Sequence, residues 1–310
     1  MASLIKPRGG AWAAGGAGAS RRAGEVPKAV IVTADDFGLS REVNAGVLRA
    51  HREGILTGTS LMVAGAARDE AAALARENPA LDVGLHLVVC RGHAVSPAAA
   101  TAGLTNQSGE FARNPTLAGM RYFFNRRVRA LLRDEIRAQI ELHLKLVGSL
   151  KHLDGHLNFH VHPTIADLML ALAVEYGIPC IRLPREPVLT TLALAQDHAA
   201  RKLVEAIIFR SLARRTRRLF DERGIRTTDW LFGLHQSGHL SEEYVAGVLQ
   251  RLRSGTTEIY FHPAADVGAI PPSAEAQAEV EILTSPRIRA AVVAAGARLT
   301  NFAELAQATP

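Results

Sequence analysis

Only two cysteines, Cys90 and Cys180, occur in a chain of 310 residues. That is too few for a disulfide framework to organise a fold of this size, and it suits a reduced, cytosolic compartment. Aromatic residues are scarce as well, at 5%. No apolar run approaches the roughly 20 residues that span a bilayer, which excludes an integral helical membrane protein. Residues 1–26, rich in Ala, Gly and Arg, lack the roughly 7–15-residue apolar core of a secretory signal and read as a flexible tail before a domain over 27–310. Neither G-x-G-x-x-G after the first strand candidate nor G-x-x-x-x-G-K-S/T is present, so dinucleotide and nucleotide binding lose their usual signals.

What remains is an ordinary globular composition, 48% hydrophobic and 21% charged, which excludes a disordered chain, a collagen-like fibre and a coiled coil. The net charge of +6 is unevenly spread: residues 1–26 carry +3, 113–137 carry +5 and 201–218 carry +6, leaving −8 elsewhere. This is an acidic body with basic patches. Residues 121–137 mix Tyr122, Phe123 and Phe124 with arginines, and residues 201–220 place Leu203, Ile207, Ile208, Phe209 and Leu212 before R-R-x-R-R at 214–218. Both read as ordinary barrel-covering helices with solvated faces or as amphipathic helices that touch an anionic membrane from its inner face. No nucleic-acid-binding motif accompanies them, so nucleic acid is not an expected partner.

From Lys28 onward, short β-rich runs alternate with helical stretches. Strands are expected over 29–34, 59–63, 83–87, 152–154, 180–183, 229–234, 258–261 and 298–302. Helices are expected over 42–52, 69–77 and 163–176, and Val128, Leu132, Ile136, Ile140 and Leu144 form an apolar stripe at every fourth position of another. Repeated β–α alternation with about eight strand candidates predicts a single-domain, irregular (β/α) TIM-like barrel rather than an open sheet.

The chemistry-bearing residues fall at the strand ends. Residues 29–34 run into Asp35, Asp36, Phe37 and Gly38; 83–87 carries His86; the strand at His152 continues as H-L-D-G-H-L-N-F-H-V-H-P; and T-E-I-Y-F-H-P delivers His262. Parallel-barrel strands converge at their C-terminal ends, so two acids and several histidines would share one pocket. One Asp and two His suit a divalent metal with open positions, and an adjacent acid suits a base that takes a proton from water. Taken singly, a D-D pair is often a helix N-cap, a His on an apolar strand is usually a core residue, and His156 and His160 could simply share a helix face. Clustering at several strand ends has little structural purpose and favours the metal site.

T-A-D-D-F-G-L-S, G-L-H-L, H-L-D-G-H-x-x-x-H-x-H-P and F-H-P together resemble the YdjC-like carbohydrate deacetylases, the family of chitooligosaccharide deacetylase, from about residue 30 to about residue 301. E-V-N-A-G-V-L-R-A-H-R-E-G-I-L-T, L-M-V-A-G and I-R-L-P-R-E-P look most like its hopanoid-biosynthesis-associated branch. The resemblance implies N-deacetylation of an N-acetylglucosamine unit, with Asp36, His86 and His156 as ligands of one divalent metal ion, Mg²⁺ or Zn²⁺. It also implies Asp35 as a general base standing free beside the metal and His262 as proton donor to the departing amine. Asp154, His160 and Arg182 are further candidates for the same pocket. The expected substrate is an N-acetylglucosaminyl hopanoid lipid; the alternatives are a chitooligosaccharide, or a phosphoester in a two-metal site that would draw on His162, His235 or His239. Asn158 stands where the family has a histidine and Ala264 where it has glycine.

Overall fold

The computed structural model describes residues 27–97, 100–268 and 271–308, so the tail expected over 1–26 lies outside the described residues. Eight strands alternate with eleven helices among them. The first half of the chain runs β1 (Lys28–Phe37), α1 (Arg41–Glu53), β2 (Gly58–Leu61), α2 (Arg68–Glu77), β3 (Asp82–Leu87), α3 (Pro115–Phe124), α4 (Arg126–Val147), β4 (His152–Gly155), α5 (Pro163–Tyr176) and β5 (Cys180–Ile181). It continues with α6 (Val188–Leu194), α7 (Ala199–Asp221), β6 (Trp230–Phe232), α8 (Glu242–Gln250), β7 (Gly255–Phe261), α9 (Ala274–Thr284), α10 (Pro286–Ala294), β8 (Arg298–Thr300) and α11 (Phe302–Gln307).

The strands form one parallel sheet in the order β5-β4-β3-β2-β1-β7-β6. At its two ends β5 bridges the segment that leads into β6, Cys180 to Arg226, and the Leu231 N–H of β6 donates to the Arg185 carbonyl, so the sheet curls into the irregular TIM-like barrel expected. β7 covers one edge of β1 over Lys28–Ala34; the other edge is shared, with β8 on Ala29–Ile31 and β2 on Thr33–Phe37. Val30, Ile31, Val32 and Ala34 are fully buried, as a parallel strand between barrel interior and covering helices requires.

Local chemistry fixes the boundaries. Ser40 caps α1 by accepting from the Val43 N–H, and Asn125 caps α4 by accepting from the Arg127 and Val128 N–H groups. The basic stretch 121–137 is therefore two helices, not one, because Asn125 ends α3 in extended backbone and starts α4. Val128, Leu132, Ile136 and Ile140 of the α4 stripe are buried, each contributing roughly 1.5–3 kcal/mol. The strand expected over 180–183 stops at Ile181; Pro184 and Pro187 beyond it lack the N–H that a ladder needs. The strand expected over 229–234 stops at Phe232, before Gly233 at φ +113°. The lower end of the barrel is closed by Phe302, whose ring stacks on His152 at 4.2 Å, while the Ala303 N–H donates to Asp82.

His143 on α4 is buried, with Nε2 3.1 Å from the Ser149 carbonyl, and burial pushes its pKa down to about 4. It is neutral in the fold, whereas an unfolded chain takes up the proton below about pH 6.5, so folding stability falls as pH drops from about 6.5 towards 4. Gln Nε2 can replace the imidazole Nε2 as donor to Ser149. Urea unfolding of His143→Gln at about pH 7 and about pH 5 should lose about 2 kcal/mol less stability than the parent does. An equal loss in both proteins would show that His143 does not carry this dependence.

Candidate active site

Period-two alternation along β1 sends Thr33 and Asp35 into the barrel interior. The register of β1 against β2 then shifts between Ala34 and Phe37, where Asp36 takes φ +65°. Asp tolerates this left-handed backbone, at a cost on the order of 1–3 kcal/mol, and the turn carries its side chain to the C-terminal mouth. The interior elsewhere is lined by His86 of β3, Asp154 of β4, Arg182 just past β5 and Glu258 and Tyr260 of β7, all buried. Gly84 makes room for this: a Cβ there would lie 2.3 Å from the His152 ring.

Asp36, His86 and His156 bring their donor atoms together at the mouth. Asp36 Oδ1 is 3.1 Å from His86 Nε2 and 3.1 Å from His156 Nδ1. His86 Nδ1 lies 2.7 Å from Asp154 Oδ1; a carboxylate only accepts, so Nδ1 keeps its proton and, in the neutral imidazole a metal would need, the Nε2 lone pair faces the mouth. That buried Nε2 meets Asp36 Oδ1 at 3.1 Å without hydrogen-bond alignment. Burial raises the Asp36 pKa, but contacts with His156 and His86 and the charges of His86 and His262 outweigh it and hold the carboxyl well below its usual range. An ionised carboxylate, an oriented imidazole with its ring N–H on a carboxylate, and a second imidazole make the mixed O/N donor set that a divalent cation takes.

Asp35 is not free. Arg182 donates to both of its oxygens, Nη1 and Nη2 each at 2.7 Å, and Ser60 Oγ is 3.4 Å from Oδ1. Arg182 also lies 3.0 Å from Asp154 and 2.8 Å from Glu258, with the Tyr260 ring 4.7 Å below its guanidinium. Burial opposes the charge of Arg182, but Asp154, Asp35 and Glu258 hold its pKa well above the ordinary value. Burial likewise raises Asp154, yet Arg182 and His86 hold it well below the carboxylate range; Glu258 stays above that range because burial prevails.

His262 follows β7 and is half-buried, close enough for its charge to act on Asp36; its N–H donates to Glu279. His160 is buried with neither ring nitrogen partnered among the described residues, and burial pushes it down to about 4. It does not join the donor set. The turn His156–Val161 is irregular, with Leu157 and Asn158 both at φ 55°, so His156 and His160 do not share a helix face. Asn158 faces the Tyr260 hydroxyl. The two donor groups, Asp36–His86–His156 and Asp35–His86–Asp154, share His86, and neither contains His162, His235 or His239. Ser60, Glu258 and Tyr260 were not anticipated; an acid inside the apolar run T-E-I-Y-F was the available signal for Glu258.

Fold and donor set together define a (β/α) barrel with one mixed oxygen–nitrogen site at its C-terminal mouth. The chain belongs to the YdjC-like protein family, whose profile matches residues 29–294. It is 31% identical over 285 residues to a carbohydrate deacetylase of Geobacillus stearothermophilus, covering 90% of this chain and 98% of that one. It is 30% identical over 295 residues to a chitooligosaccharide deacetylase of Serratia marcescens, covering 90% and 99%. A crystal structure from Enterococcus faecalis, described as a candidate cellobiose-phosphate cleavage protein, superposes with a TM-score of 0.71 at 25% identity, covering 90% of this chain and 99% of that one.

Arg182→Met would leave Asp35, Asp154 and Glu258 buried without their shared cation. The variant should lose about 3–5 kcal/mol of stability near neutral pH. Because the stranded carboxyls can take up protons, the deficit should shrink as the solution is acidified. A deficit independent of pH in denaturant titrations would contradict the charge-balance account.

Proposed function

We propose that this protein is a metal-dependent carbohydrate N-deacetylase acting on an N-acetylglucosamine unit. The observation that carries the reading is the convergence of Asp36, His86 and His156 at the barrel mouth beside the Arg182-held Asp35, in a chain that matches carbohydrate deacetylases over nearly their whole length.

Asp36, His86 and His156 would hold one divalent cation, which when bound polarises an amide carbonyl and acidifies a water. The remaining work belongs to the chain. Asp35 accepts the proton of the attacking water, and Arg182 grips both of its oxygens so that the carboxylate cannot rotate away. Asp154 fixes the tautomer and orientation of His86. His262, just past β7 and near enough for its charge to act on Asp36, gives a proton to the departing amine, completing cleavage of the C–N bond to acetate and free amine.

The finer reading is that the sugar is carried on a lipid, an N-acetylglucosaminyl hopanoid. Besides the motif resemblance, it is supported by α3, where Leu117, Met120, Phe123 and Phe124 are 54–75% exposed next to Arg121, Arg126 and Arg127. Phe123 packs 6.4 Å from His162, so this apolar ridge stands beside the segment that carries His156. Such a ridge fits the surface of an anionic bilayer. No helix among the described residues is long and apolar enough to cross one.

Incubation of the metal-loaded protein with chitooligosaccharides and with N-acetylglucosaminyl lipid extracts should remove one acetyl group, read by mass spectrometry. The lipid should be the better substrate; retention of the acetyl group on both would end the proposal. Asp36→Asn should lose metal stoichiometry, whereas Asp35→Asn should keep it and abolish turnover. The opposite pattern would exchange their roles. Flotation with phosphatidylglycerol vesicles at low salt should carry the protein upward, and Phe123→Glu with Phe124→Glu should release it; a protein that stays at the bottom has no such contact.

A further inference from the structure

Between α7 and the outer wall of the barrel lies a cavity of about 880 Å³, within the size range of small-molecule sites. It is distinct from the active site, since none of Asp35, Asp36, His86, His156 or His262 lines it. Trp230 forms part of its wall, with Arg185 and Arg253 stacked on the indole at 4.5 and 4.6 Å. Leu189, Leu203 and Ile207 also line it and remain 77%, 45% and 72% exposed, a large apolar surface for a helix that should be packing.

The other end of the cavity is strongly cationic. Arg210, Arg214, Arg217 and Arg218 line it, and among the described residues no carboxylate pairs with Arg210, Arg214 or Arg218. Arg217 pairs with Asp221 through Nε only, which leaves its Nη1 buried without a partner among the described residues. Trp230 Nε1 is a second buried N–H with no partner among them. The acid on the wall, Glu186, is engaged by Thr191 and by the Leu234 and His235 N–H groups. Two orphaned donors and a cluster of unpaired guanidinium groups call for an acceptor that carries negative charge. Along α7 the apolar positions come first and the arginines follow. Leu203 and Arg217 are about 21 Å apart at the helical rise, the length of an extended fatty chain.

We propose that this cavity binds an anionic amphiphile, its chain laid along Leu203, Ile207 and Phe209 and its phosphate or carboxylate held by the α7 arginines and the unpartnered N–H groups. The site is independent of the reaction proposed above. The sequence contains two tryptophans, so Trp12→Phe leaves Trp230 as the single fluorophore, placed in the cavity wall. Titrating that otherwise intact, metal-loaded chain with dodecyl phosphate below its aggregation concentration should give a saturable change in Trp230 emission. Dodecanol and inorganic phosphate should bind at least tenfold more weakly. Arg214→Ala with Arg217→Ala should weaken dodecyl phosphate at least tenfold, and Ile207→Glu should abolish its binding.

Neither variant touches the barrel mouth, so both should deacetylate chitooligosaccharides at the parent rate, which separates failure of this site from failure of the reaction. Equal responses to dodecyl phosphate and dodecanol would mean an apolar crevice without head-group recognition. Saturation by inorganic phosphate alone would mean an anion site without a chain. Either result, or an unchanged affinity in the arginine variant, overturns the proposal.

Discussion

Everything at the mouth of this barrel depends on one buried guanidinium. Arg182 is 1% exposed and reaches Asp35, Asp154 and Glu258, which arrive on three different strands. An uncompensated ion in such a place costs several kcal/mol, and its geometry must be close to ideal before attraction offsets desolvation. Arg182 meets that requirement by a paired contact with Asp35, a second carboxylate, Glu258, at Nε, a third, Asp154, near Nη2 and an aromatic ring on one face. A lysine could hold one of these acids; the planar fork is what lets a single side chain tie three of them.

That tie has consequences for the donors in front of it. Asp154 is divided between Arg182 and His86: one oxygen answers the guanidinium and the other fixes the imidazole N–H, so Nε2 is aimed at Asp36. Strain is concentrated on the exposed side, at Asp36 with φ +65° and at Leu157 and Asn158 with φ 55°. The interior acids are tied to one guanidinium while the residues that meet the mouth sit on turns held by their neighbours. Preorganisation of this kind lets a site act without first rearranging its own dipoles.

The barrel and the gathering of acids and histidines at its mouth were legible in the sequence because both follow from short-range regularities; the choice of Asp36, His86 and His156 among them rested on the family resemblance. Strand runs ending in Asp35–Asp36, His86 and His262 put chemistry at one end of a parallel barrel whatever the packing details. The state of Asp35 was not legible. Its partner Arg182 is 147 residues away, and only the closure of the sheet brings β5 opposite β1. Glu258 and Ser60 were hidden for the same reason: each looks like an ordinary polar residue in a strand until the interior it faces is known. The break at Asn125 was missed because the apolar stripe of α4 is continuous with the aromatic run before it, and a capping side chain decides the boundary.

The two arginine-rich stretches carry the same signal in sequence and differ in space. On α4, Arg137 is engaged with Glu175 and Tyr176, and Arg129 lies near Asp167, so these charges stitch α4 to α5. On α7, Arg215 joins that same Asp167, but Arg210, Arg214 and Arg218 lack a carboxylate among the described residues. A solvated helix face scatters its charges towards water and buries its apolar side. α7 instead keeps its arginines and its leucine–isoleucine surface on one cavity, with a tryptophan N–H left unanswered behind them. Solvation accounts for the first helix; for the second it leaves the buried donors unexplained.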